Sequence, residues 1–251
     1  MVTLKSALEI ERMRASGRVV AEVLEALAER IRPGVTTAEL DALAESIIRA
    51  HRGARPAFKG YGGFPATICA SINDEVVHGI PSKTRRLAEG DIVGIDVGVL
   101  LGGYHADAAR TFPVGTVSTD AEDLLRVTRD ALAAGIAAAR PGGHLGDISA
   151  AIQEVVEAAG FAVVRELVGH GIGQHLHEDP QVPNFGSVGR GLSLDPGLVI
   201  AIEPMVNCGD SGVRTLEDAW TIVTADGTLS AHFEHTVAIT AIGPEVLTQA
   251  A

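Results

Sequence analysis

One pattern occurs twice in this chain at nearly the same spacing, and it constrains the fold more than any other feature. A helix-stop signal, Arg32-Pro33-Gly34, returns 108 residues later as Arg140-Pro141-Gly142. A glycine, an apolar run and a terminal carboxylate, Gly90 to Asp96, return 107 residues later as Gly197 to Glu203. The shared offset predicts an internal duplication, approximately residues 8–115 and 119–241, of a unit with two helices and then a β-hairpin. Chance similarity of short apolar segments is the competing explanation. No Pro/Gly/Ser tract divides the chain, so the expected architecture is one α+β domain, residues 1–251, made of two related halves.

The helices are read from apolar spacing. Ile10, Met13, Gly17, Val20, Leu24, Leu27 and Ile31 recur at intervals of three and four, which places them on one helical face. Thr36 and Glu39 form a capping-box pattern that opens a second helix with Leu40, Leu43 and Ile47 as its buried stripe. A helix through Leu124, Leu132 and Ile136, then one through Ile148, Ile152 and Val155, repeat the order.

Charge and cysteine content exclude several function classes. A formal charge of −12 argues against wholesale binding of nucleic acid or anionic membrane. The two cysteines, Cys69 and Cys208, make no CxxC pair and no disulfide framework, which favours a reducing compartment. The first residues lack a signal-peptide pattern, and the apolar run 131–139 is too short to span a bilayer. The expectation is a cytoplasmic protein that does not engage membranes.

Four acids and one histidine carry the chemistry. Val93, Ile95, Val97 and Val99 alternate onto one strand face, leaving Asp96 on the other. Leu101-Gly102-Gly103 turns the chain, and Tyr104 to Phe112 returns with Asp107. A hairpin centred between Leu101 and Gly102 sets the two acids opposite each other; one centred on the glycines makes them diagonal neighbours on one face. In both registers two like charges converge in an apolar setting, and a shared cation accounts for them best. The plainer alternative is one exposed acid and one paired with Arg110. His170 sits in the frame Gly169-His170-Gly171-Ile172-Gly173, with His177 seven residues on, as suits a tightly surrounded ligand. Glu203 ends an apolar strand, and Glu234 lies in the strand-like run Ala231 to Thr240. Four carboxylates match the charge of two divalent cations, and neutral His170 adds a nitrogen donor. Oxygen-rich ligation with one imidazole and no thiolate suits manganese, iron, cobalt or zinc. Two such ions about 3.5–4 Å apart hold a hydroxide and polarise a carbonyl, which is hydrolytic chemistry.

With these blocks in order, the chain resembles the pita-bread metallopeptidases, specifically the type I methionine aminopeptidases of bacterial kind. The resemblance runs from Glu9 to about Thr248 and includes the stretch Ile72 to Pro81, Asp96 with Asp107, the His170 frame, Glu203-Pro204-Met205 and Glu234-His235-Thr236. It implies a pseudo-twofold fold and two divalent metal ions. Asp107 and Glu234 would bridge the metals, Asp96 would chelate one, and His170 with Glu203 would complete the other. Glu203 would also move the proton of the attacking water, while His78 and His177 would face the substrate as hydrogen-bond donors. Tyr61, Phe64, Cys69, Leu176 and Trp220, with His78 at the rim, would form an apolar pocket for methionine. The implied reaction removes the initiator methionine from nascent polypeptides when the second residue is small.

Three positions depart from the family pattern. Leu176 stands where many relatives have phenylalanine and predicts a looser pocket wall. Gly98 stands where some carry a threonine that supports the metal shell, and His232 where some carry glutamine. Competing readings are a proline-directed dipeptidase or aminopeptidase P on the same fold, and a binding module that has lost catalysis. Asn73 to Pro81 and Glu203-Pro204-Met205 favour the methionine enzyme over the first, and five intact ligand positions disfavour the second. A monomer is expected. For transient ribosome association, residues 207–230 offer only Arg214 among four acids, with no obvious rRNA-binding patch.

Overall fold

Local capping chemistry starts the helices close to where apolar spacing places them. In the computed structural model, which describes residues 2–249, α1 spans Ala7–Arg30 and α2 spans Thr37–Ala50. Both open with a full capping box, Ser6 with Glu9 and Thr36 with Glu39, a motif whose cap residue contributes about 1 kcal/mol. The most buried positions of α2 are Leu40, Ala44 and Ile48, so its core stripe is rotated slightly from the predicted Leu43 and Ile47, which pack at its flank. α3 (Thr119–Ala138) and α4 (Leu145–Ala158) follow, and Leu124, Leu132, Ile148 and Ile152 are buried between them and the strands behind.

Two antiparallel sheets carry the site. In the first, strand Ile92–Leu101 pairs on one edge with Tyr104–Pro113 and on the other with Arg55–Pro56 and Ile68–Ile72. Val93, Ile95, Val97 and Val99 are fully buried against α1 and α2, so the opposite face, with Asp96, is directed away from those helices. The second sheet has the order Gly243–Val246, His235–Thr240, Val199–Ile202, Gly169–Gly171, Glu178–Val182. The sheets meet where Glu234 donates its backbone N–H to the Ala109 carbonyl at 2.9 Å and Asp107 N–H bonds Thr236 Oγ1 at 3.0 Å. Two three-stranded sheets flank them: Ser230–His232, Met205–Asn207, Ala162–Val163, and Val213–Thr215, Ile222–Thr224, Glu75–Val77.

The helix pairs share a further detail at the offset seen in the sequence. The residue capping α2 forms an isolated antiparallel bridge, Thr36 with Arg86, and the residue capping α4 forms another, His144 with Ser193. Among the described residues, no helix is long and apolar enough to cross a membrane.

Candidate active site and metal centre

The hairpin register resolves the alternative left open by the sequence. Leu101 pairs with Tyr104, so the turn is Gly102-Gly103, both at positive φ (60° and 86°) as a tight hairpin turn requires. Asp107 then lies opposite Gly98 and Asp96 opposite Ala109, which makes the acids diagonal neighbours on one face. Arg110 points elsewhere: its guanidinium lies 4.9 Å from the Phe112 ring centre and 3.3 Å from Glu25, so it does not neutralise either acid.

The expected strand through Glu234 is broken there. Ser230–His232 and His235–Thr240 belong to different sheets, and Phe233-Glu234 forms the step between them. That break turns the Glu234 carboxylate inward. Ligand atoms of Asp107, His170 and Glu234 all lie within 4.8 Å of one another. His170 Nε2 is 3.5 Å from Asp107 Oδ2 and 3.6 Å from Glu203 Oε1. On the far side of the ring, Nδ1 is 2.9 Å from the Gly171 carbonyl. A carbonyl only accepts, so Nδ1 carries the proton and the Nε2 lone pair faces the carboxylates, as a metal-binding imidazole requires. The glycine frame is steric: a Cβ on Gly171 would lie 2.1 Å from the Asp179 carbonyl oxygen.

The electrostatics call for positive charge. Burial, followed by the charge of Asp107, pushes the Asp96 carboxyl well above the usual carboxylate range. Glu203 and Glu234 are raised in the same way, by burial first and then by their acidic neighbours. Burial raises Asp107 to about 6 even though the Thr236 hydroxyl, 3.0 Å from Oδ1, opposes the shift. Asp96 Oδ1 is buried without a hydrogen-bond partner. Four converging carboxylates and an unpartnered buried oxygen, with no cationic side chain among them, fit divalent metal ions.

Every site residue predicted from the sequence lines one cavity of about 570 Å³, including His78, His177, Tyr61, Phe64, Cys69, Leu176 and Trp220. Trp220 meets Phe64 edge-on with ring centres 5.1 Å apart, and Phe64 clusters with Cys69. His177 Nδ1 is 2.7 Å from the Tyr61 hydroxyl, and its ring centre is 4.3 Å from that of His170. His78 holds a left-handed backbone conformation, φ 60°, a strained state that persists where the surroundings require it.

One wall residue escaped the sequence reading, and a second was marked only as a departure from the family pattern. Phe58 also lines the cavity and joins the cluster around Leu176 to the one around Phe64 and Cys69. An added Cβ on Gly98 would lie 2.6 Å from Phe58 Cε1. The glycine therefore makes room for a ring on the same wall as Leu176. His232 is the second: 4% exposed, it turns Nε2 to within 3.7 Å of Glu203 Oε2. Only its departure from the glutamine of some relatives marked it beforehand. Asp107 Oδ1 accepts a hydrogen bond from the Thr236 hydroxyl at 3.0 Å; the motif containing Thr236 was noted but not its reach.

Residues 11–241 match the profile of metallopeptidase family M24. A methionine aminopeptidase of Clostridium perfringens is 56% identical over 248 residues, 99% of each chain. The crystal structure of a methionine aminopeptidase from Thermotoga maritima superposes with TM-score 0.97 at 48% identity, covering 99% of this chain and 100% of that one. A prolidase from Pyrococcus furiosus, at 23% identity and TM-score 0.79 over 66% of its length, shares the fold alone. The fold is therefore the pita-bread fold, and the site is that of a metal-dependent hydrolase. The chain belongs to metallopeptidase family M24 and, within it, to the methionine aminopeptidases.

Proposed function

We propose that this chain hydrolyses the peptide bond after an N-terminal methionine, using two divalent cations held by Asp96, Asp107, His170, Glu203 and Glu234. The convergence of four pKa-raised carboxylates and one tautomer-fixed imidazole beneath an aromatic-walled cavity carries this reading. Asp107 and Glu234, the most buried of the acids, would hold the ions together with Asp96, His170 and Glu203. Once bound, the cations would lower the pKa of water and polarise the scissile carbonyl.

The remaining work falls to side chains. Glu203 accepts a proton from the attacking water and returns it to the leaving amine. The Tyr61 hydroxyl lies 2.7 Å from His177 Nδ1; with Tyr61 as the donor, Nε2–H is free to donate to the developing oxyanion. Burial, then the nearby His177, pushes the His78 imidazole below its ordinary pKa, so it is neutral at pH 7 and donates from one nitrogen. Phe58, Phe64, Cys69, Leu176 and Trp220 exclude water around the methionine thioether, and cobalt, manganese, iron or zinc would suit the donor set.

We further infer that the natural substrates are nascent polypeptides with a small second residue, and that the chain is one domain of two related halves. The paired capping bridges and the 107-residue spacing of Asp96 and Glu203 support the latter. The deciding assay is metal-dependent hydrolysis of Met-Ala-Ser, Met-Lys-Ser and Ala-Pro peptides. Rapid cleavage of the first alone is expected. Comparable rates for Met-Lys-Ser overturn the size filter, and preference for Ala-Pro replaces the reading with a proline-directed one.

A further inference from the structure

The segment ahead of α1 reaches the loop that carries His177. Lys5 is the only buried lysine or arginine among the described residues. Its Nζ lies 2.7 Å from Glu178 Oε2 and donates to the Thr3 carbonyl at 3.0 Å. Its backbone N–H donates to the Gly197 carbonyl at 2.7 Å, just before the strand that leads into Glu203. The second oxygen of Glu178 accepts the His175 N–H at 3.0 Å. One carboxylate therefore closes the loop 175–178 on itself and ties it to Lys5, with His177 adjacent to the knot. Gly173 leaves the space: a Cβ there would lie 2.6 Å from Lys5 Cε and 2.7 Å from Glu178 Oε1.

The pair is mostly shielded, its side chains 3% and 14% exposed, so removing Lys5 leaves the Glu178 carboxylate poorly compensated where it now lies. Losing Lys5 would drive Glu178 toward water and carry the loop with it. A surface pair would have no such leverage.

We propose that Lys5 is a positioning residue: through Glu178 it holds the loop that aims His177 at the scissile bond. This rests on the reading of His177 as a substrate-facing donor. Misplacing a catalytic group by about 1 Å can cost about 10²-fold in rate. A merely structural Lys5 would lower stability and activity without regard to His177, and a double-mutant cycle separates the two cases.

The experiment compares Lys5→Met, His177→Ala and the double variant of the full chain, each loaded with cobalt, on Met-Ala-Ser. Melting temperature, metal content and amide exchange of residues 173–178 are measured alongside. The expected result is a loss of about 10–100-fold in kcat for Lys5→Met with KM within about threefold, faster exchange at His175, and no further kcat loss in the His177→Ala background. Should Lys5→Met not fold, Gly173→Ala carries the same cycle, since its Cβ, 2.6 Å from Lys5 Cε and 2.7 Å from Glu178 Oε1, forces the pair to shift and leaves both charges present. Wild-type kcat in the positioning variant, or an equal loss in both backgrounds, overturns the proposal alone. A fully active His177→Ala overturns the reading of the site and the proposal with it.

Discussion

Threonine at position 98 tests how the pocket wall is built. Its Cβ would lie 2.6 Å from Phe58 Cε1, 3.1 Å from Phe58 Cδ1 and 3.0 Å from the Ala57 Cβ, well inside the roughly 3.5–4.0 Å optimum for carbon atoms. The backbone cannot yield, because Gly98 sits mid-strand between fully buried Val97 and Val99 and pairs with Asp107. The ring of half-buried Phe58 must move instead. Overpacking of this kind costs about 1–3 kcal/mol. The moved ring also leaves the wall it shares with Leu176, so discrimination between methionine and leucine at the first position should fall by about tenfold or more. Urea unfolding gives the first quantity, and kcat/KM for Met-Ala-Ser against Leu-Ala-Ser gives the second. In a Phe58→Ala background the threonine has room, and its added cost should fall below about 1 kcal/mol. An equal cost in both backgrounds, together with unchanged selectivity, would refute the steric coupling of Gly98 and Phe58.

Other outcomes follow from the same geometry. Asp96→Asn and Asp107→Asn should fold yet lose metal-dependent activity; normal metal content and turnover in either would sink the dinuclear assignment. His78→Ala and His177→Ala should keep their metal and lose about 10²–10³ in turnover, and metal lost in step with activity would instead make them ligands. His235, next in the chain to Glu234 but not among the residues lining the cavity, gives a pH test. Burial, and then the charge of Arg110, hold its pKa near 4 against an ordinary 6.5, while its Nδ1 lies 2.9 Å from Thr248 Oγ1. The unfolded chain protonates this ring below pH 6.5 and the folded chain only near pH 4, so its contribution is complete above 6.5 and is lost between those values. At pH 5 the loss amounts to about 2 kcal/mol. His235→Gln should therefore shrink the stability difference between pH 7 and pH 5 by about that amount, and an unchanged difference in urea titrations at the two pH values would contradict it.

What could be read from the sequence depended on near neighbours along the chain. Helix spacing and capping, the alternation that separates Asp96 from core positions such as Ile95 and Val97, and the glycines around His170 are patterns of a few residues, each with a local physical cause. The motifs also carried the family resemblance, and with it the identity of the acids. What only the tertiary structure decided concerns residues far apart in sequence. The glycine turn chose the diagonal register of Asp96 and Asp107, because two residues at positive φ moved the hairpin centre along the chain. The break at Phe233-Glu234 was hidden because both flanking segments are good strands, and only their membership of different sheets separates them. Thr236 reaches Asp107 across 129 positions, Lys5 reaches Glu178 across 173, and Phe58 fills the space above Gly98. No local preference encodes these pairs, since each partner is an ordinary residue in its own segment. They exist because packing two sheets and a leading segment around one charged centre leaves a single place for each side chain.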